Sequence, residues 1–191
     1  MSNYFSNFPT TPHDLTNIGQ QVQLTNIIRR YKIRNSLLTD TRIYYDYQIE
    51  SGERPDTVAD KFYNDPNLAW LILMFNEIVD PIFGWPLFDY DFENYIRGKY
   101  TSIASAQAEI HEYRQILNQK QVKYDGTIIP EKYVVVDQTT YTSLNPSERQ
   151  TITKYDWELE ENESKRQIKV LNESYLSKVK KQVKSILKDG V

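Results

Sequence analysis

The sequence predicts an α+β protein built around a small module of one strand and two helices at residues 43–98. An N-terminal arm with a short amphipathic helix (1–42) precedes it. An extension of helix, β-hairpin and basic terminal helix (99–191) follows. Three observations carry this reading. Residues 44–86 pack tyrosine-rich extended pieces around a short amphipathic segment and an almost wholly apolar run, 68–75. Pro9, Pro12 and Gly19 interrupt any periodicity near the start of the chain. Tyr124-Asp125-Gly126-Thr127 is a hairpin signal between two β-prone segments, and a lysine-rich amphipathic stretch closes the chain.

Each element has a local cause. Residues 1–25 are polar and read as an arm that needs a partner or stays mobile. Leu24, Ile27, Ile28 and Tyr31 share a helical face that leaves Arg29 and Arg30 outside. Residues 43–49 are rich in Tyr and Ile with partial alternation, which makes them a strand candidate, and Gly52 permits the turn after it. Asp56 or Thr57 can cap a helix on which Val58, Ala59, Phe62 and Tyr63 share one side. Asp65-Pro66 breaks that helix and starts the next, because Pro fits a first helical turn. Residues 67–75 are apolar all round, so this helix must be covered on every side: it is the centre of the fold, or another subunit closes part of it. Gly84-Trp85-Pro86 ends a tight irregular stretch.

Further along, residues 88–95 and 103–117 read as helices, the second from the spacing of Ala104, Ala106, Ala108, Ile110, Tyr113 and Leu117. Residues 132–137 read as a strand, and 150–158 alternate enough to pair with it. Charge then reverses. Residues 156–163 carry five acids, whereas 165–191 carry eight Lys or Arg against two acids. Asn172 can cap a last helix with Leu176, Val179, Val183, Ile186 and Leu187 on one face. Its lysine face is either solvated or laid on an acidic partner, on nucleic acid or on a membrane surface.

Composition excludes several classes of function. The chain has 15 Tyr and 3 Trp, residues favoured at interfaces because they bury area while keeping a polar tip. The same residues also fill a small, wet core. A net charge of −3 argues against a nucleic-acid binder. Absence of Cys excludes disulfides, zinc thiolates and thiol catalysis. The longest apolar run has eight residues, far short of the ~20 that span a bilayer. With no basic, then apolar, N-terminal signal, the expectation is a soluble product made in the cytoplasm.

No grouping of residues points to catalysis. His13 and His111 lie far apart with no third ligand at metal-site spacing. Asp89, Asp91 and Glu93 could serve acid–base hydrolysis, but their spacing beside Phe88, Tyr90 and Phe92 suits a helix N-terminus or a solvated edge. There is no glycine-rich phosphate loop and no nucleophile elbow. The expectation is a binding or assembly protein, with no enzyme activity, cofactor, metal or small-molecule substrate.

Two nested resemblances sharpen that expectation. The run Tyr47-x-Ile49-x-x-Gly52-x-x-Pro55-Asp56-Thr57-Val58-Ala59-x-x-Phe62, continued by Leu68 and Asn76, resembles a LysM module, a βααβ fold that typically binds N-acetylglucosamine polymers such as peptidoglycan. A longer pattern is similar to the LysM-containing baseplate wedge subunit of T4-like contractile-tailed phages. It starts near residues 24–31 and includes Arg42, Tyr44, Tyr45, Arg54-Pro55, Ala59, Tyr63, Asn67 and Trp70. It continues through Leu73-Met74, Asn76, Asp80-Pro81 and Gly84-Trp85, and resumes at Glu161-Asn162-Glu163-x-x-Arg166-Gln167-Ile168-Lys169.

The resemblance implies a structural virion protein of the tail baseplate. It would be made in the host cytoplasm and would join neighbouring wedges around the hub of a six-fold assembly. Its partners would be other wedge subunits, with no nucleic acid and no membrane. On this reading Tyr31, Tyr45, Trp70, Trp85, Leu176 and Val183 contact partners, while Val58, Phe62, Leu71 and Leu73 form the module core. The alternative is a peptidoglycan-binding LysM protein of a phage tail or lysin.

Overall fold

The first two strands, β1 (Thr10–Asp14) and β2 (Gln21–Thr25), form an antiparallel ribbon that sets Thr10 opposite Thr25. It lies in a stretch that the sequence predicts to be irregular. The chain reverses because Asn17 and Gly19 take positive φ (54° and 83°) and the Asp14 carboxylate accepts the Gly19 N–H at 2.6 Å. Leu24 is in β2, so no helical turn begins there; Tyr31 and the rest of that proposed turn beyond Ile28 lie outside the described residues. The computed structural model describes residues 5, 8–15, 17, 19–28 and 42–189.

Strand β3 (Tyr44–Gln48) leads through the Gly52 turn (φ 83°) into helix α1 (Pro55–Tyr63). Pro55 opens the helix, and the Arg54 N–H donates to Thr57 Oγ1 at 2.8 Å, satisfying a group left free at the N-terminus. Asn64, in the left-handed region, ends it. Asp65 then caps a single 3₁₀ turn, Pro66–Leu68, accepting the Asn67 N–H at 3.1 Å. Helix α2 (Ala69–Phe75) follows, with every residue buried or half-buried.

The strand that pairs with β3 is β9 (Gln167–Leu171), antiparallel, with Tyr44 opposite Leu171 and Gln48 opposite Gln167. Asn76 binds the other edge of β9. Its side-chain amide donates to the Lys169 carbonyl (2.9 Å) and accepts the Lys169 N–H (2.7 Å), as a neighbouring strand would. The last helix, α7 (Glu173–Asp189), starts at Asn172, whose side chain accepts the Ser174 N–H at 3.0 Å, and buries Val179, Val183 and Leu187. These spacings put one stripe inward and the lysines elsewhere.

The chain divides into two compact units, the described parts of Met1–Pro86 with Lys165–Val191, and Leu87–Ser164. In the first, Val58, Ala59, Leu71, Ile72, Val170 and Leu171 are almost fully enclosed.

The second unit contains α3 (Asp89–Tyr100), α4 (Ile103–Ala108), β4 (Ile110–Asn118), the short hairpin β5 (Gln121–Val122) and β6 (Ile128–Ile129), β7 (Lys132–Val136), α5 (Gln138–Ser143), β8 (Arg149–Thr153) and α6 (Lys154–Ser164). Its sheet has the order β7-β4-β8, antiparallel throughout. Phe92, Ile96 and Ala106 form its core, with Leu87, Tyr95, Tyr100, Ile103 and Tyr155 packed around them. Asn162 ties the two ends of this unit together, accepting the Leu87 N–H at 2.7 Å and donating to the Leu87 carbonyl at 2.8 Å.

Three sequence expectations fail in this unit, the first being the pairing of 150–158 with 132–137, since β7 and β8 each pair with β4 and not with each other. The helix expected over 103–117 stops at Ala108, and residues 110–118 form the central strand. The helical spacing of its apolar residues is outweighed by ladder hydrogen bonds to a strand on each side. The strand expected over 150–158 ends at Thr153, where Thr153 and Asp156 cap each other: Thr153 Oγ1 lies 2.7 Å from the Asp156 carboxylate and 3.1 Å from the Asp156 N–H. That reciprocal cap starts α6, which carries the acidic run.

Candidate assembly surfaces

The residues expected to contact partners occupy different environments. Tyr45 on β3 is 53% exposed, and its hydroxyl accepts from the Asn172 side chain at 2.8 Å. It lines an open cavity of about 600 Å³ with Phe62, Leu171, Asn172, Glu173 and Ser174. Trp70 and Leu176 are half-buried, whereas Val183 and Trp85 are buried. Trp85 acts inside the fold, donating its indole N–H to the Glu53 carbonyl at 2.8 Å. Among the residues expected in the core, Val58 and Leu71 are enclosed, and Phe62 and Leu73 are half-buried. The Phe62 ring meets Tyr47 edge-on, with centroids 5.0 Å apart.

Glu53 ties several elements together. Besides receiving Trp85 on its carbonyl, its carboxylate accepts the Tyr47 hydroxyl (2.6 Å), the Glu50 N–H (2.9 Å) and the Lys61 ammonium (3.1 Å). Burial alone would raise its pKa, but these donors outweigh burial and hold it below the usual carboxylate range.

Between α2 and Trp85 the chain forms a hydrogen-bonded loop, residues 77–84. Glu77 has φ 54°, and the Ile78 N–H donates to the Leu73 carbonyl at 2.9 Å. The Asp80 carboxylate accepts the Ile82 N–H (2.9 Å) and the Phe83 N–H (3.3 Å), and the Gly84 N–H returns to the Asp80 carbonyl (2.8 Å). A Cβ at Gly84 would sit 2.6 Å from that carbonyl oxygen, so glycine is the residue that fits. This loop exposes Val79 (95%), Ile82 (67%) and Phe83 (54%). From the sequence this stretch reads only as tight and irregular. The signal available was apolar residues inside a turn-rich stretch with neither helix nor strand period.

The second unit has its own exposed apolar surface. Strand β7 is an edge of its sheet, and Tyr133, Val134 and Val135 on it are all exposed. Val122, Tyr124 and Ile128 of the short hairpin are exposed as well. Beneath the sheet surface two charged groups are buried and paired. Arg114 donates to Glu112 (2.6 Å) and, with two nitrogens, to Glu160 (3.0 and 2.8 Å), and its guanidinium lies 4.0 Å from the Tyr133 ring centroid. Glu158 accepts from Lys99 (2.6 Å), Tyr100 (2.6 Å) and Tyr95 (3.1 Å). Burial raises its pKa, but the Lys99 and Tyr100 bonds more than reverse that and keep the carboxyl low.

The residues considered for chemistry have structural neighbours. Asp89 and Asp91 lie in the first turn of α3, where acids suit the helix dipole, and Glu93 pairs with Arg97 at 2.7 Å. His111 stacks on Trp157 with centroids 4.5 Å apart, and His13 is exposed in β1. Among the described residues no group of three or more His, Cys, Asp or Glu is arranged to hold a metal ion. No helix among them is long and apolar enough to cross a membrane.

Comparison with known proteins gives this architecture a context. The family model for base plate wedge protein 53 matches residues 5–186, through both compact units. The chain is also similar to the baseplate wedge protein gp53 of Enterobacteria phage T4, with 26% identity over 168 residues that cover 80% of this chain and 78% of that protein. With the match running nearly from end to end, the chain belongs to the base plate wedge protein 53 family and is a structural protein of the phage tail baseplate.

Proposed function

We propose that this protein joins neighbouring wedges around the hub of a six-fold baseplate, clamping other wedge subunits during tail assembly without a catalytic step. One observation carries the reading: each compact unit exposes its own apolar surface, Val79, Ile82 and Phe83 on one and Tyr133, Val134 and Val135 on the other. Surface of this kind on an ordered scaffold marks interaction sites. Two such surfaces on one chain make it a connector, because binding through one raises the effective concentration of the other. The order β3, α1, α2, β9, with the two strands paired, supports a LysM-like reading of the first unit in which Leu87–Ser164 is inserted before the last strand.

The test is co-expression with the remaining wedge proteins of the same phage, followed by size-exclusion chromatography, with a peptidoglycan pull-down alongside. The expected result is migration with a wedge complex and no retention on cell wall. A free monomer that sediments with peptidoglycan would overturn the clamp and revive the sugar-binding alternative.

A further inference from the structure

Strand β7 pairs with β4 on one side only, and the register decides which of its backbone groups lie on the other side. In an antiparallel ladder the N–H and C=O of one residue point to the same side, and successive residues alternate. On β4 the Ile116 N–H donates to the Glu148 carbonyl at 2.7 Å, toward β8. Gln115 and Tyr113 therefore turn to β7, where Val134 and Val136 stand opposite them. That leaves the N–H and C=O of Tyr133 and of Val135 aimed off the sheet. Among the described residues no hydrogen bond reaches these four groups.

The side chains do nothing to keep a second strand away. Sheet edges are ordinarily protected by charge, proline, bulges or a covering element. Here the irregularity in the β4–β7 register sits at Lys132, and Pro130, Glu131 and Lys132 all precede the free groups. At the far end Asp137 starts α5, accepting the Thr139 and Thr140 N–H groups at 2.8 and 2.9 Å. Between these ends, residues 133–136 carry no charge and no proline. Tyr133, Val134 and Val135 are 40%, 48% and 54% exposed, so the edge is apolar and open on both faces. The Arg114 guanidinium against the Tyr133 ring braces the strand from within, so little order remains to be gained on binding.

Resting on the assembly reading above, we propose that β7 receives an added strand. An extended apolar segment of another baseplate wedge subunit lies along 133–136 and makes main-chain hydrogen bonds to Tyr133 and Val135. Main-chain bonds give such a contact its affinity, and alternate side chains give it specificity. Because β7 is apolar on both faces, the incoming segment carries apolar residues at consecutive positions. A second copy of this chain fits less well. Pairing two β7 strands with Tyr133 opposite Val135 sets Glu131 opposite Asp137 at both ends, and like charges directly opposite destabilise a pair.

The experiment uses the full chain, alone and co-expressed with the other wedge proteins, and reads amide hydrogen exchange residue by residue. In the free protein the Tyr133 and Val135 amides are expected to exchange at least tenfold faster than those of Val134 and Val136, which β4 holds. In the wedge complex they are expected to slow at least tenfold. Val135→Lys puts a charge on the edge and leaves the backbone intact. Val135→Pro removes an N–H that β4 does not use, a position where edge strands accept proline. Both variants are expected to melt near the parent, and the fraction co-migrating with the wedge complex to fall at least tenfold. A benzophenone-bearing residue at position 134 is expected to cross-link to another wedge protein within a short apolar segment.

Fast exchange at Tyr133 and Val135 that persists in the complex overturns the added strand while the assembly reading stands. Full co-migration of Val135→Lys does the same, and this variant decides if proline disturbs the fold. Slow exchange in the free chain would mean that the edge is already covered and overturns the added strand too, as does cross-linking to a second copy. If the parent itself never enters the complex, the assembly reading fails and the added strand falls with it.

Discussion

Arg114 offers the most exacting test of how the second unit is held together. Its side chain is 4% exposed, and its guanidinium is shared between Glu112, whose side chain is 17% exposed, and Glu160, which is 49% exposed. Replacing Arg114 by Met keeps much of the apolar stem and removes the charge. Breaking a buried ion pair from one side typically costs about 3–5 kcal/mol, because the remaining charge is left without a partner. Glu160 can turn to water, so its share is small. Glu112 has little solvent, and the expected loss is therefore near the lower end, about 3 kcal/mol.

The assay is urea unfolding followed by circular dichroism, with the parent, Arg114→Met, Glu112→Gln and the double variant compared as a cycle. If the orphaned carboxylate is the cause, adding Glu112→Gln to Arg114→Met restores more than half of the loss. A loss under about 1 kcal/mol in the single variant would mean that Arg114 contributes little beyond packing. An additive double variant would show that Glu112 and Arg114 do not act as a pair. Either result refutes the reasoning.

Glu158→Gln should lower stability by about 2–3 kcal/mol at pH 7, since charge-assisted bonds from Lys99 and Tyr100 are lost. The parent carboxyl is depressed in the folded state, so its contribution is present above the unfolded value of about 4.3 and is lost as pH falls through the lower folded value. Unfolding curves at successive pH values should therefore show the gap between parent and variant closing in acid. Trp85→Phe should cost about 1–3 kcal/mol in the same urea assay, because the Glu53 carbonyl loses its buried donor. Gly84→Ala places a methyl group 2.6 Å from the Asp80 carbonyl oxygen and should cost about 1–3 kcal/mol; an unchanged melting temperature would show that the loop yields freely.

The sequence made the short-range elements legible. β3, α1, the Asp65-Pro66 break, the hairpin at Gly126 and the terminal helix all follow from turn residues, caps and periodicity close at hand. Long-range pairing was not legible. Nothing in Tyr44–Gln48 announces that its partner is Gln167–Leu171, and β4 has a helix-like apolar spacing that only its two neighbouring strands override. Asn76 and Asn162 belong to the pattern that carries the family resemblance, yet their roles emerge only in three dimensions, one gripping Lys169 and the other Leu87. The apolar loop tip escaped notice for a related reason. Periodicity reports which side of an element faces inward, and a loop has no such period.

The pairing of β3 with β9 has a consequence for the order of events during synthesis. The ribosome releases β3 early and its partner roughly 120 residues later, which at ordinary elongation rates is a wait of roughly 6–24 s. Through that interval β3 has no partner, and of its five residues only Asp46 carries a charge that discourages pairing with another nascent chain. Leu87–Ser164, meanwhile, emerges whole and can fold. A chain broken off anywhere before residue 167 therefore lacks β9, the strand with which Asn76 and β3 both pair. Closure of the first unit thereby waits until the chain has been made through residue 171, and a chain that stops short of it leaves β3 unpaired.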